Sequence, residues 1–311
     1  MSTSWLGYPQ VMLAAWCPLA AVGLWHLLRR VTVRLPPRER FVLAVAAALT
    51  PLLAVAVPYL PHSPLRDALP WRAPIAWGIS NGVTGVDPAR VFSAVGTQLM
   101  FAASVLPLAS LAVSFAAGAI RVVRTARAVT MLAPRQCGDI WIVGDTAQAP
   151  QSLASTVGLM QPRVILSAAV AESAEAAAII HHERAHARAR HPLWIFLATC
   201  TLRSWWWIPG RTAILGEVRL AAELWADQEA REAEGSAAVA KALCAQIDAK
   251  ARAAGHDLAP AGASTGFIDP GVELTHRARA LAASAPVMST WQVWSIRAAA
   301  AVAVAVVALL L

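Results

Sequence analysis

The chain of 311 residues is 58% hydrophobic and 14% charged, with a mean hydropathy of +0.54. That is more apolar surface than an ordinary soluble domain of this length needs. The formal net charge of +8 and the pI near 10.3 would suit a nucleic-acid partner, but no nucleic-acid module is recognisable and the basic residues flank apolar runs, so membrane lipid is the expected partner and direct nucleic-acid binding is not.

Four long apolar runs are predicted to be transmembrane helices, at residues 9–28, 41–60, 95–120 and 290–311, the last interrupted by Arg297. The connection between the first two carries Arg29, Arg30, Arg34, Arg38 and Arg40 against Glu39 alone, and Arg121, Arg124, Arg127 and Arg135 follow the third. The positive-inside rule makes both stretches cytoplasmic. The connection 61–93 balances Arg66, Arg72 and Arg90 against Asp67 and Asp87, and should face outward. So should the N-terminus, which lacks a basic residue before the first run; that lack also argues against a cleaved signal peptide. A multi-pass protein of the plasma membrane is expected: a membrane domain at 1–125, a cytoplasmic domain at 126–286 and a final span at 287–311. The cysteines Cys17, Cys137, Cys200 and Cys244 show no paired spacing, so neither disulfides nor a cysteine zinc site is expected.

The cytoplasmic part begins with two short strands, one in 139–144 around Ile140-Trp141-Ile142-Val143 and one at 163–167. A helix follows, with Ser173 as its expected cap and Glu175 in its first turn. It carries His182-Glu183-Arg184-Ala185-His186. The strand before it is a place where an extended peptide could add, though a core strand would read the same way. Further helices are predicted at 219–234, 236–253 and 272–283, with a Gly/Pro/Ala-rich loop at 255–271.

The spacing of the two histidines carries chemistry. Residues four apart share a helix face, so His182 and His186 can meet one metal ion. Glu183 sits one step round, placed to touch a water on that ion. A catalytic zinc takes three protein ligands and keeps a fourth position open. Glu223, in Glu223-Leu224-Trp225-Ala226-Asp227, is the natural third ligand, and Asp227 lies on the same face, able to hold the free ring nitrogen of His182 or His186. The bland alternative is a solvated acidic face, since Glu217, Glu229, Glu232 and Glu234 are close in sequence. His181 points about 100° away from His182 and has no partner four residues on. Together these residues form the signature of a zinc metallopeptidase, with Zn2+ as cofactor.

The metal constrains topology. The stretch 192–210, with Trp194 and Trp205-Trp206-Trp207, is apolar enough to suggest a fifth span. Yet His186 and Glu223 must lie on one side of the membrane. Two crossings need about 40 residues plus a turn, and 36 lie between the ligands. The segment should therefore dip in and return, or lie along the interface, where Arg203 and the tryptophans would seat it.

In this order of parts the chain resembles the BlaR/MecR antirepressor family of membrane zinc metallopeptidases, over roughly residues 126–281 and in the pattern of spans. The residues that carry the resemblance are His182-Glu183-x-x-His186, Pro192-Leu193-Trp194, the tryptophan-rich segment, and Glu223-x-x-Ala226-Asp227. The related HtpX and CAAX-prenyl-protease group shares the Glu-x-x-Ala-Asp form and carries an arginine in a stretch like Arg277-Ala278-Arg279-Ala280-Leu281. The resemblance implies a mainly α membrane protein, with about four transmembrane helices, a re-entrant or interfacial segment and a small α+β gluzincin-like peptidase domain. Two features depart from the family. His191 stands where an aspartate commonly precedes Pro-Leu-Trp. The family's β-lactam sensors continue into an outer penicillin-binding domain, whereas this sequence ends at Leu311 and contains no Ser-x-x-Lys, so covalent β-lactam sensing is not expected.

The expected function is a membrane zinc endopeptidase with its active site at the cytoplasmic membrane face. Its substrate would be a protein or peptide, with a transcriptional repressor as the family-like case. The alternatives are quality-control proteolysis of the HtpX type and a non-enzymatic signalling or scaffold protein stapled by a structural metal. Glu183 argues against the last, because a structural site needs no base. Tyr8 and Tyr59 lie outside the catalytic half, leaving His256, His276 and Arg277 as candidates for a second oxyanion donor.

Overall fold

The computed structural model describes residues 19, 21–27, 29–30, 32–56, 94–144, 153–254, 270–283 and 288–299. Most of the first apolar run, the connection 61–93, most of the loop 255–271 with His256, and residues 300–311 lie outside this set. The described residues are mainly helical with one small sheet. In chain order the elements are α1 (Pro37–Ala56), α2 (Ala94–Met131), β1 (Arg135–Cys137), β2 (Ile140–Val143), β3 (Ala154–Val157), β4 (Arg163–Ser167), α3 (Ala168–Ala171), α4 (Ala176–Arg188), α5 (His191–Ser204), α6 (Arg211–Glu234), α7 (Ser236–Ala254) and α8 (Pro270–Ala282).

Among the described residues one helical stretch, Ala109–Met131 of α2, is long and apolar enough to cross a membrane, and none of its apolar window is buried. The helix runs past the expected end of its span. Arg121, Arg124 and Arg127 are exposed on its continuation rather than in a loop, because alanine, valine and arginine offer no signal to stop. Earlier in the helix Ser110, Ser114 and Gly118 recur at four-residue steps, which lets α5 approach closely. Ser110 Oγ donates to the Ser204 carbonyl at 2.8 Å. A Cβ on Gly118 would meet Cys200 Sγ at 2.7 Å and Phe196 Cε2 at 2.8 Å.

The sheet has the order β1-β2-β4-β3, with β2 and β4 parallel and both outer pairs antiparallel. Sequence pattern found β2 and β4 but missed β1 and β3, whose apolar content is too low to mark them. The arrangement corrects one expectation. The strand before the metal helix, β4, is hydrogen-bonded on both sides and cannot take an added peptide. Its buried run Val164-Ile165-Leu166-Ser167 is that of a strand covered on both faces. The open edge nearest the metal helix belongs to β3. The helix start differs too. Ser167 caps the short α3 by accepting from the Val170 amide, and Ser173 donates to the Val170 carbonyl instead of capping α4. Glu175 precedes α4 at its cap position without a capping hydrogen bond.

Two apolar cores flank the site. One joins Phe41, Ala44, Val45 and Ala48 of α1 to Ala198 and Leu202 of α5 and to Ile214, Leu215, Val218 and Ala222 of α6. The other joins Val164 and Leu166 of β4 to Ala178 and Ile179 of α4, Ala230 of α6, and Val239 and Ala242 of α7. The 24-residue helix α6 spans about 36 Å and runs through both cores. The stretch 192–210 is α5 followed by a turn, and its return leg is the first half of α6. Gly210, at φ 79°, makes the reversal in the left-handed region that glycine enters without strain. The three tryptophans divide: Trp205 is fully buried in the first core, Trp207 packs against it, and Trp206 is exposed. The start of α1 ties the helices together, since Arg40 pairs with Glu217 of α6 and buried Glu39 accepts a two-pronged bond from Arg297 at 3.0 and 2.6 Å. That pairing accounts for the arginine that interrupts the last apolar run.

Candidate metal centre

The amphipathic pattern of α4 buries Ala178, Ile179, His182, Glu183, Ala185 and His186 together. The helix therefore presents both histidines inward, against α6. There Glu223 and Asp227, one turn apart, share a face toward them. The reading of these two carboxylates as a solvated acidic face does not describe them: Asp227 is buried, and Glu223 is mostly covered.

One ligand atom from each of His182, His186 and Glu223 lies within 4.8 Å of the others. His182 Nε2 is 3.1 Å from His186 Nε2 and 3.4 Å from Glu223 Oε2, and His186 Nε2 is 3.5 Å from Glu223 Oε1. Ligands 2.0–2.1 Å from a tetrahedral ion stand about 3.3 Å apart. The two ring nitrogens and the two oxygens of the Glu223 carboxylate thus surround one point at close to the spacing a small divalent ion requires, and two imidazoles with a carboxylate form a donor set suited to such an ion.

Each ligand is held from behind. His182 Nδ1 is 2.9 Å from Asp227 Oδ1, so that nitrogen donates and leaves Nε2 for the metal. His186 Nδ1 is 2.8 Å from His191 Nδ1. Arg277 of α8 closes the far side, giving Nε and Nη2 to Asp227 at 2.8 Å each, and Nη1 to Glu223 at 2.9 Å. Sequence reasoning offered Arg277 as an oxyanion donor; the structure places its donors on the two carboxylates. His276 beside it is exposed, and His256 lies outside the described residues. His181 turns away, as expected, to a contact of 3.3 Å with Glu234.

Electrostatics follow this wiring. Burial opposes charge on His182, but hydrogen bonds to Asp227 and Glu223 outweigh it and push its pKa to about 10. Burial holds His186 below its ordinary range, and the neighbouring His182 adds to that. Burial, reinforced by His186, pushes His191 down to about 3. At Glu223 burial favours the neutral acid, yet the Arg277 guanidinium and both histidines keep the carboxyl well below the usual range. At Asp227 burial is likewise overcome, by His182 and Arg277.

Glu183 is buried beside the ligands, and its Oε2 accepts from Thr156 Oγ1 at 2.7 Å; the same hydroxyl lies 2.8 Å from the Glu183 carbonyl. Thr156 belongs to the edge strand β3, and nothing in its sequence context marks it. His191 was visible only as a departure from a family pattern. Five residues past His186, it would face elsewhere on a continuous helix, and only the left-handed Arg190, at φ 52° and ψ 39°, turns it back. Compared with family models, curated proteins and solved structures, the chain matches none.

Proposed function

We propose that this protein is an integral-membrane zinc endopeptidase of BlaR/MecR-like type, with its active centre at the cytoplasmic membrane face and a protein or peptide substrate. The observation that carries the reading is the convergence of His182, His186 and Glu223 on one point with Glu183 on the adjoining helix position. A purely structural metal would leave that buried glutamate without a role. The turn between α5 and α6 supports this reading, since it brings the chain from His186 back to Glu223 within one packed unit. The four-span topology, with α1 and α2 as its second and third spans, belongs to this proposal.

A zinc ion held by the three ligands would supply the Lewis acidity that makes water nucleophilic near neutral pH and polarises a carbonyl. The protein's own groups do the rest. Glu183 takes the proton of the attacking water and returns it to the leaving amine. Thr156 occupies Glu183 Oε2, which leaves Oε1 for that transfer. The open edge of β3 offers backbone groups to an extended substrate next to Glu183. Arg277 holds Glu223 in the ligand position.

Arg277 also favours a second reading. It lies in the stretch that resembles the arginine-bearing segment of the HtpX and CAAX-protease group, and its burial against Asp227 and Glu223 makes it part of the site; the HtpX-type reading is quality-control proteolysis of damaged membrane proteins. Comparing the proteomes of cells carrying wild-type and Glu183→Gln protein tests both. A single fragment pair that requires Glu183 supports regulated cleavage, many membrane-protein fragments support quality control, and identical proteomes contradict a peptidase.

A further inference from the structure

His191 is 0% exposed, more deeply buried than the ligands themselves. Its ring packs against Phe41 at 4.6 Å and Trp225 at 4.8 Å between centroids. Its Nδ1 meets His186 Nδ1 at 2.8 Å, while its Nε2 is one of two buried side-chain polar atoms that lack a hydrogen-bond partner among the described residues. Leaving such a group unpaired is unfavourable. So is the left-handed backbone at Arg190 that delivers the ring. A phenylalanine in this aromatic box would remove the first cost. Packing alone therefore does not explain an imidazole here.

The contact with His186 does. A 2.8 Å approach of two ring nitrogens needs a proton on one of them. With His186 Nε2 turned to the ligand cluster, its lone pair is required there and its proton resides on Nδ1. We infer that His191 is the positioning residue of His186: its Nδ1 lone pair accepts the His186 Nδ1–H, which fixes the ring and the tautomer that leaves Nε2 free for the metal. This rests on the metal-centre reading above.

The two histidine ligands are then held unlike each other. A carboxylate backs His182, through Asp227, and a neutral ring backs His186. The neutral acceptor leaves His186 the weaker donor and adds no negative charge to the centre. The unpaired Nε2–H of His191 follows from the same tautomer, because accepting at Nδ1 forces the proton onto the other nitrogen.

The test uses the full chain in detergent, with zinc and cobalt(II) as probes and the metal-free thermal midpoint as a check on folding. In His191→Phe the volume stays and the acceptor goes; in His191→Asn the carboxamide oxygen falls near the Nδ1 position. His191→Phe should fold at least as stably as wild type without metal, bind zinc about tenfold or more weakly, and alter the visible cobalt absorption. His191→Asn should keep zinc affinity within about threefold of wild type. Equal zinc affinity in His191→Phe and wild type overturns the inference, as does equal weakening in both variants, and either leaves the metal centre standing. A wild-type protein that binds no zinc overturns both.

Discussion

Arg277 Nη1 lies 2.9 Å from Glu223 Oε2, so the one carboxylate among the candidate ligands is shared between the metal position and a buried guanidinium. The same guanidinium takes Asp227 through its other two donors. One arginine on α8 thereby bridges two neighbouring carboxylates on α6, with His182 as the second cation they share. Removing it, in Arg277→Ala, leaves His182 alone to face both carboxylates and should destabilise the metal-free protein by about 3–5 kcal/mol, read as a fall in thermal midpoint. Arg277→Lys keeps the charge but loses the fork geometry and should fall between. Zinc added in excess should restore part of the loss, since a cation then faces Glu223.

Asp227 acts on the metal through His182, whose Nδ1 it holds at 2.9 Å. Asp227→Asn keeps the shape but offers a neutral acceptor. Zinc affinity, measured by competition with a chelator, should fall about 10–100-fold. Unchanged affinity would mean that the contact does not orient His182.

Metal uptake should release a proton. In the metal-free protein the His182 pKa is about 10, against an ordinary 6.5, while His186 is depressed and neutral. A raised folded pKa means the His182 imidazolium stabilises the metal-free fold fully below about pH 6.5, and that this contribution is lost as pH rises through about 10. Zinc must displace that proton, so apparent affinity should climb about tenfold per pH unit between those limits. Calorimetry in buffers of different ionisation enthalpy should count about one proton released per zinc at pH 7.5. A pH-independent affinity would contradict the charged His182.

Thr156 gives its hydroxyl to the carboxylate of Glu183 at 2.7 Å. Thr156→Val preserves the strand and the volume while freeing that carboxylate. Cleavage should slow by about tenfold with zinc content unchanged, and Thr156→Ser should recover it. Equal loss in both would assign Thr156 to packing.

Gly118 sets the approach of α2 to α5, where a Cβ would meet Cys200 and Phe196 at under 3 Å. Gly118→Leu should lower the thermal midpoint in detergent, at a cost of about 1–3 kcal/mol. Because α5 begins at His191, zinc affinity should fall with it.

The legible parts of the chain were those where chemistry or periodicity repeats locally. His182 and His186 announce a shared helix face, and Glu223 and Asp227 repeat that spacing on a second helix. Strands β2 and β4 showed through their continuous apolar residues, and the bounds of α7 fell within one residue of expectation. What stayed hidden depends on distant partners. β3 reads Ala-Ser-Thr-Val and becomes a strand by pairing with β4. Ser173 looks like a cap, yet Ser167 ends a strand and starts α3 first. His191 gains its meaning only because Arg190 turns the chain back, and Arg277 only because α8 docks on α6.

The most direct measurement of the central claim is the zinc content and proteolytic outcome of purified wild-type, His186→Ala and Glu183→Gln protein, taken together. The account predicts stoichiometric zinc in wild type and Glu183→Gln, zinc lost in His186→Ala, and Glu183-dependent cleavage in wild type alone. Wild-type protein without zinc, or full cleavage by Glu183→Gln, would contradict it.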